Sequence, residues 1–203
     1  MDQPEFHLLS NGKLELTEFA RMASLVKRYV SAIHLREKGR YANEITEGIQ
    51  HLLTSGVPHH QIYINDRLDV AWALKVKGGH LAYHSLEPSL AKQTFPDLRI
   101  GRSVHSLEEA LVMEAQGVDY LFFGHIFSTT CKPGKEPQGL MKLEEVTRSV
   151  KIPVIAIGGI KPENVESVMN AGASGIAVLS SIVEAIDPLQ VVKNYAKALY
   201  GED

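Results

Sequence analysis

The stretch PVIAIGG, residues 153–159, is apolar on both faces of the β-strand that it predicts. A second run, YLFFGHIF at residues 120–127, shows the same pattern. Strands of a parallel sheet are covered by helices on both sides and read as nearly continuous hydrophobic runs, whereas half-exposed strands alternate with polar residues. The two runs therefore indicate a parallel sheet built from repeating β–α units.

Including these two, eight β-rich segments begin at residues 5, 30, 61, 79, 98, 119, 153 and 175. Amphipathic segments separate them, with helix signals such as Ser106 three residues before Glu109, and Gly117 at the end. Strand starts about 18 to 34 residues apart fit β–α units rather than hairpins. We predict a single (β/α)₈ TIM barrel, one domain over residues 1–203. The rival, an open doubly wound sheet, lacks its G-x-G-x-x-G signature after the first strand.

The composition narrows the function classes. A formal net charge of −3 leaves no basic excess for a nucleic-acid partner. The one cysteine cannot form an internal disulfide, and the start MDQPEFHLLSNG lacks the basic and apolar parts of a signal peptide, so we expect a cytoplasmic protein. No apolar run approaches the ~20 residues of a membrane span. The sequence does not fix the oligomeric state and is compatible with a homo-oligomer.

Polar side chains accumulate where the predicted strands end. Side chains of a barrel strand alternate between the interior and the helix layer, so every second residue faces the same way. On this basis four strands each place two or three residues of interest on one face. These faces hold His34, Arg36 and Lys38; Tyr63 and Asn65; Gly101, Ser103 and His105; and Phe123, His125 and Phe127. Since barrel active sites lie at the C-terminal strand ends, we expect the polar members to converge over one mouth.

The last two strands end in glycines and serines. Gly158 and Gly159 allow a ligand to approach the backbone closely, and Ser180 and Ser181 precede a short helical segment. Barrels often bind phosphate on the loops after strands seven and eight. We predict a phosphate site there.

Five stretches together resemble the thiamin phosphate synthase superfamily, and within it the TenI-type thiazole tautomerases. They are YINDRLDVA, IGRSVHSLEEA, DYLFFGHIF, IPVIAIGGI and GIAVLSS. Compared with the synthases, the chain has His34 where Gln is typical and keeps Asn65 and Asp66, but HLAYHSLEP lacks the second magnesium-binding Asp. It also has His125 and Cys131 where Pro and Thr are typical, as the tautomerases do.

The resemblance implies an isomerase that aromatises a 2-carboxy-dihydrothiazole ethylidene phosphate to a carboxythiazole phosphate. Such a proton transfer needs no metal and no cofactor, and a histidine titrating near neutrality suits it, so His125 is the predicted acid–base residue. The substrate phosphate is expected at the two glycines and two serines, and its carboxylate at Arg36 or Lys132. Lys38, Asn65 and Ser103 complete the predicted substrate-binding set.

Two other functions stay open at this point. One is a thiamin phosphate synthase-like transferase that requires magnesium, against which the missing carboxylate argues. The other is a non-catalytic regulator that binds a thiazole or thiamin phosphate. Cys131 is interpreted as an ordinary loop thiol.

Overall fold

The computed structural model describes residues 3–129 and 133–201. Eight parallel strands close into a barrel in sequence order, with β1 pairing to both β2 and β8. The strands are β1 (Glu5–Leu9), β2 (Ala32–Leu35), β3 (Ile62–Asn65), β4 (Gly78–Leu81), β5 (Arg99–Val104), β6 (Tyr120–Gly124), β7 (Val154–Ile157) and β8 (Gly175–Val178). All eight correspond to strands predicted from the sequence, so the predicted single (β/α)₈ barrel is confirmed.

Helices connect the strands and surround the barrel. They are α1 (Leu16–Val26), α2 (Ala42–Thr54), α3 (Leu68–Ala73), α4 (Pro88–Thr94), α5 (Leu107–Ala115), α6 (Gly139–Ser149), α7 (Val165–Asn170), α8 (Ser180–Val183) and α9 (Pro188–Tyr200). The N-cap prediction for α5 is confirmed, since Ser106 Oγ accepts from the Glu109 backbone N–H at 3.1 Å. No helix in the described ranges is long and apolar enough to cross a membrane.

The hydrophobic residues divide into two layers. The larger layer packs the outer faces of the strands against the helices and contains Phe6, Ile33, Ile64 and Phe123. The smaller one fills the barrel interior and contains Leu9, Ala32, Tyr63, Tyr120, Phe122, Ile155 and Ala177. The helix-facing layer therefore holds the main core, and the interior is free to carry polar groups.

One interior glycine makes room for an aromatic ring. A Cβ on Gly101 would lie 2.1 Å from the Tyr120 ring, which β6 places directly beside it. The Tyr120 ring is fully buried, and the Arg99 guanidinium lies 4.7 Å from its centroid. The floor of the barrel is thus built from a Gly–Tyr pair and a cation–π contact.

Candidate functional site

A cavity of about 520 Å³ opens at the C-terminal ends of the strands. Of the residues predicted from the sequence, it is lined by Arg36, Asn65, Ser103, His125, Gly158, Gly159, Ser180 and Ser181. Lys38 is not among the lining residues and lies in an exposed turn after β2. Lys132 and Cys131 lie outside the described residues. The expected convergence of the strand ends over one mouth is therefore observed for most of the set.

The loops after β7 and β8 form the most closely packed wall of the cavity. Gly158 and Gly159 have φ values of +96° and +68°, in the left-handed region that favours glycine. A Cβ on Gly158 would lie 2.3 Å from His125 Cβ, and one on Gly159 would lie 2.6 Å from the Phe127 carbonyl oxygen. Larger residues cannot occupy this wall without moving the β6 loop, so its backbone stays accessible to a ligand.

The last helix joins these two loops. The Tyr195 hydroxyl donates to the Ile160 carbonyl at 2.8 Å and lies 2.9 Å from Ser181 Oγ, which is placed to donate to it. Ile160 follows the two glycines, and Ser181 lies in the first turn of α8. One phenol from α9 therefore fixes the spacing of the two predicted phosphate loops.

His125 lies just beyond β6, between the cavity and the loop that follows. The residue is 5% exposed, and its Nε2 atom lies 3.3 Å from the Lys135 carbonyl oxygen. The His125 carbonyl accepts from the Gln138 backbone N–H at 2.8 Å. The residue thus lines the cavity and also holds the far end of the loop against β6.

The strand parity predicted for β6 is wrong. Phe122 faces the barrel interior, and Phe123 packs toward the helices. The alternation of side chains holds only within a paired strand, and β6 ends at Gly124. His125 reaches the cavity because the chain turns there, so the two-residue period that linked it to Phe123 does not explain its position.

The opposite wall carries polar groups from β2, β3 and β5. The Arg36 backbone N–H donates to Ser10 Oγ at 2.8 Å, and this hydroxyl donates to the Glu37 carboxylate at 2.6 Å. These bonds fix the backbone at the end of β2, where Arg36 enters the cavity lining. A guanidinium suits a carboxylate or phosphate group of a ligand.

Ser103 is held from below by a histidine. His80 Nε2 lies 2.8 Å from Ser103 Oγ, and His80 Nδ1 lies 3.2 Å from the Tyr120 hydroxyl. The ring stacks on Phe122 with centroids 4.1 Å apart. Burial lowers the pKa of His80 to about 3, so the imidazole is neutral at physiological pH.

Further below, the interior contains a polar assembly that sequence reasoning missed. The Arg99 guanidinium contacts both Glu5 carboxylate oxygens at 2.6 Å, and Glu5 in turn contacts His7 at 2.9 Å. A sequence signal for the interior imidazoles exists. His7, His34 and His80 each precede a leucine inside a predicted strand, in FHLL, IHLR and GHLA. Since neighbouring residues of a strand face opposite sides, a buried Leu toward the helices places the His inside.

Residues 8–182 match the family described as thiamine monophosphate synthase. The chain belongs to this family. It is 32% identical over 199 residues to a thiamine-phosphate synthase of Methanococcus vannielii, covering 94% of this chain and 96% of that one. It is 36% identical over 189 residues to a thiamine-phosphate synthase of Chlorobium phaeovibrioides, covering 92% and 90%.

A solved structure is similar over nearly the whole barrel. The thiamine phosphate pyrophosphorylase from Pyrococcus furiosus superposes with a TM-score of 0.82 at 33% identity, covering 96% of this chain and 95% of that chain. The predicted superfamily is confirmed. The isomerase prediction is wrong, because these relatives are named as synthases, which are condensing transferases.

Proposed function

We propose that this chain is a transferase of the thiamine-phosphate synthase type. It would join a pyrimidine, carried as a diphosphate ester, to a thiazole phosphate. The observation that supports this most directly is that the lining of one cavity includes two kinds of group suited to anions. The glycine loops after β7 and β8 line one wall, and Arg36 lines the wall near β2. A substrate pair with one phosphate and one diphosphate needs two such groups.

The reaction forms one bond and breaks one. The thiazole ring nitrogen attacks the methylene carbon attached to the pyrimidine, and the bond from that carbon to the diphosphate oxygen breaks. The electron pair leaves with the diphosphate, and no proton moves to or from carbon. The protein's task is therefore to position two substrates, stabilise the departing anion and keep water out.

The described residues provide for these tasks in different parts of the cavity. Backbone groups at Gly158 and Gly159 would hold the thiazole phosphate, and the Arg36 charge would stabilise the diphosphate. Phe122 and Ile157 give the cavity an apolar floor and side. The predicted roles of Ser103, Ser180 and Ser181 as further substrate contacts remain proposals of the same kind.

His125 takes a different role in this reaction from the one predicted for an isomerase. A condensation without proton transfer at carbon gives an acid–base residue no step to catalyse. The ring lines the cavity and contacts the carbonyl of Lys135. We assign it to shaping the cavity wall and anchoring the loop that follows β6.

Magnesium, which the resemblance implies for synthases, does not fit a cage built by the described residues. They contain no group of three or more His, Cys, Asp or Glu side chains arranged to hold a metal. Asp66 follows β3, but Ser85 donates a hydrogen bond to its carboxylate, and His84 Nε2 lies 3.5 Å from it. Magnesium is usually held by one or two carboxylates together with substrate phosphates, and the Asp66 carboxylate is already engaged by Ser85. No step of the proposed reaction is assigned to a metal.

The test is a coupling assay with purified protein, the pyrimidine diphosphate and the thiazole phosphate, with and without Mg²⁺. Thiamine phosphate is detected by mass spectrometry, and diphosphate release is measured in parallel. We expect equal amounts of both products. Tight binding of the thiazole phosphate without any coupling would overturn the transferase assignment in favour of a binding role.

A further inference from the structure

A chain of hydrogen bonds runs up the barrel interior beneath the cavity. Glu5 Oε2 lies 2.9 Å from His7 Nε2, and His7 Nδ1 lies 2.9 Å from His34 Nε2. Both imidazoles are 0% exposed. Interiors of this fold are usually filled with branched aliphatic side chains, so a hydrogen-bonded series here calls for a role.

The upper end of the chain meets a residue that lines the cavity. His34 Nδ1 is buried and has no hydrogen-bond partner within the described ranges, and the same holds for Asn65 Oδ1. In the orientation that the structure gives it, the Asn65 carboxamide lies against the His34 ring and acts to raise the pKa of His34, as an oxygen facing the ring does, and Asn65 also lines the cavity. Two buried polar atoms left unpaired in one place are costly, so the arrangement of protons and of the amide atoms here needs to be worked out.

The proton positions can be assigned by starting from Glu5, at the lower end of this chain of hydrogen bonds. Burial acts to raise the pKa of Glu5, but hydrogen bonds from His7 and Arg99 outweigh it and lower that pKa to about 2. The Glu5 carboxylate is therefore ionised and accepts from His7 Nε2–H. Burial lowers the pKa of both His7 and His34, so both rings are neutral.

A neutral His7 that donates through Nε2 can only accept at Nδ1. His34 must then donate to it through Nε2–H, which leaves a lone pair on His34 Nδ1. That lone pair requires a donor from Asn65. In a carboxamide the donor is Nδ2, and the oxygen and nitrogen are distinguished by the hydrogen bonds they form.

We propose that Glu5, His7 and His34 are positioning residues that orient the Asn65 carboxamide. This exchanges the amide oxygen and nitrogen: Nδ2 takes the buried position that Oδ1 occupies in the structure and donates to His34, and Oδ1 takes the cavity-facing position as a hydrogen-bond acceptor. The matching ligand group is an amino group on a heteroaromatic ring. This assignment of the ligand rests on the proposed function, since thiamine phosphate carries an aminopyrimidine; the orientation of Asn65 does not.

A different proton arrangement would reverse the inference. If His7 were an imidazolium, its Nδ1–H would donate to His34 Nε2, and His34 Nδ1–H would donate to Asn65 Oδ1. The amide nitrogen would then face the cavity and would repel an amino group. Full burial of His7 disfavours this charged state.

Long-range ¹H–¹⁵N NMR of the ¹⁵N-histidine-labelled protein distinguishes these states, with His7→Asn and His34→Gln spectra used for assignment. We expect both rings to be protonated at Nε2 and unprotonated at Nδ1. A His34 ring protonated at Nδ1, or a doubly protonated His7, would overturn the proposal. This experiment needs no turnover, so it stands or falls separately from the transferase assignment.

Two variants of His7 connect the proton arrangement to selectivity. His7→Asn keeps an oxygen acceptor near the position of Nδ1, whereas His7→Phe removes it. The readout is kcat/KM for the aminopyrimidine diphosphate divided by that for its 4-oxo analogue. We expect this ratio to fall about tenfold in His7→Phe, which corresponds to the loss of one hydrogen bond. In His7→Asn the ratio should stay within about twofold of the wild-type value.

Thermal unfolding controls for damage to the barrel. An equal loss of selectivity in both His7 variants, with matched unfolding temperatures, would refute the positioning role. An unchanged ratio in a folded His7→Phe variant would refute it as well.

Discussion

The two walls of the cavity are built in different ways. The wall formed by the loops after β7 and β8 is made of backbone, with two glycines at positive φ and a tyrosine that spaces the loops. The wall near β2, β3 and β5 is made of side chains, including Arg36, Asn65 and Ser103, and Asp66 lies just outside the lining. A backbone wall tolerates few substitutions because neighbouring atoms fill the space, whereas a side-chain wall can be altered without moving the chain. Changes in substrate preference are therefore expected on the second wall.

The largest effect should come from adding one methyl group to the backbone wall. In Gly159→Ala, the new Cβ would meet the Phe127 carbonyl oxygen at 2.6 Å, and φ is +68°. We expect kcat/KM for thiazole phosphate to fall about 100-fold or more, or about 2.7 kcal/mol, measured by steady-state coupling.

Gly117→Ala is the matched control for that variant. Gly117 has φ +85°, and a Cβ there meets no atom within 4 Å. It carries the same conformational penalty at the end of α5, so stability should fall by about 1 kcal/mol with activity retained. Equal kinetic losses in both variants would show that the backbone wall has no special part in binding.

A smaller loss of activity is expected from Asp66→Asn, a substitution beside the side-chain wall. Asn can adopt the left-handed φ of +66° found at Asp66, so Asp66→Asn should fold. It removes the charge that accepts from Ser85 and from the Ala82 backbone N–H, bonds that tie the end of β3 beside Asn65 to the loop after β4. Because Asn65 lines the cavity, we expect kcat/KM for the pyrimidine diphosphate to fall about 50-fold. Asp69→Asn, which removes an exposed pair with Arg67, is the control. Unchanged kinetics in Asp66→Asn would show that this carboxylate does not support the side-chain wall.

Glu5, at the end of the barrel away from the cavity, belongs to neither wall, and its effect should appear in stability rather than in activity. The pKa of Glu5 is about 2 in the fold against 4.5 for the free group, so its ionisation stabilises the fold above pH 4.5. This contribution is lost as the pH falls from 4.5 toward 2. We expect a loss of about 2 kcal/mol in the free energy of unfolding after solvent screening, measured by urea denaturation.

Glu5→Gln should be less stable at neutral pH and should show a flatter dependence over that acid range. Parallel curves for the wild type and the variant would contradict the assignment of this acid sensitivity to Glu5.

The smallest effect should come from the residue between the two walls. His125→Asn keeps a polar side chain against the following loop, and the proposed reaction transfers no proton through it. We expect coupling to fall less than about fivefold, which corresponds to roughly 1 kcal/mol. A loss of 100-fold, together with loss of one limb of the pH–rate profile, would restore an acid–base role.

Much of the fold was predictable because it depends on local patterns. β-rich runs alternating with amphipathic segments identified the eight strands, two of them continuously apolar, and the glycines after β7 identified one wall of the cavity. The position of His125 was correct but its parity argument was not, since Phe122 rather than Phe123 is inside. The contact between Glu5 and Arg99 joins residues 94 positions apart, a pairing that no local pattern specifies.

The activity was harder to predict than the fold. The interpretation as an isomerase rested on a few substitutions near the mouth, such as His125 and the stretch HLAYHSLEP. The overall similarity of the chain to named synthases outweighs them. Differences of this kind change individual contacts, and a contact alone does not define which reaction a cavity supports.

The Tyr195 hydroxyl makes the rigidity of the cavity mouth depend on the packing of the last helix. Because it contacts the loops after β7 and β8 together, the stiffness of that wall depends on how firmly α9 packs, and Tyr195 is only 1% exposed. A substitution that weakens the packing of α9 would allow the two loops to move apart while all eight strands stayed paired. Such damage would appear first as weaker affinity for phosphate esters, well before any loss of secondary structure.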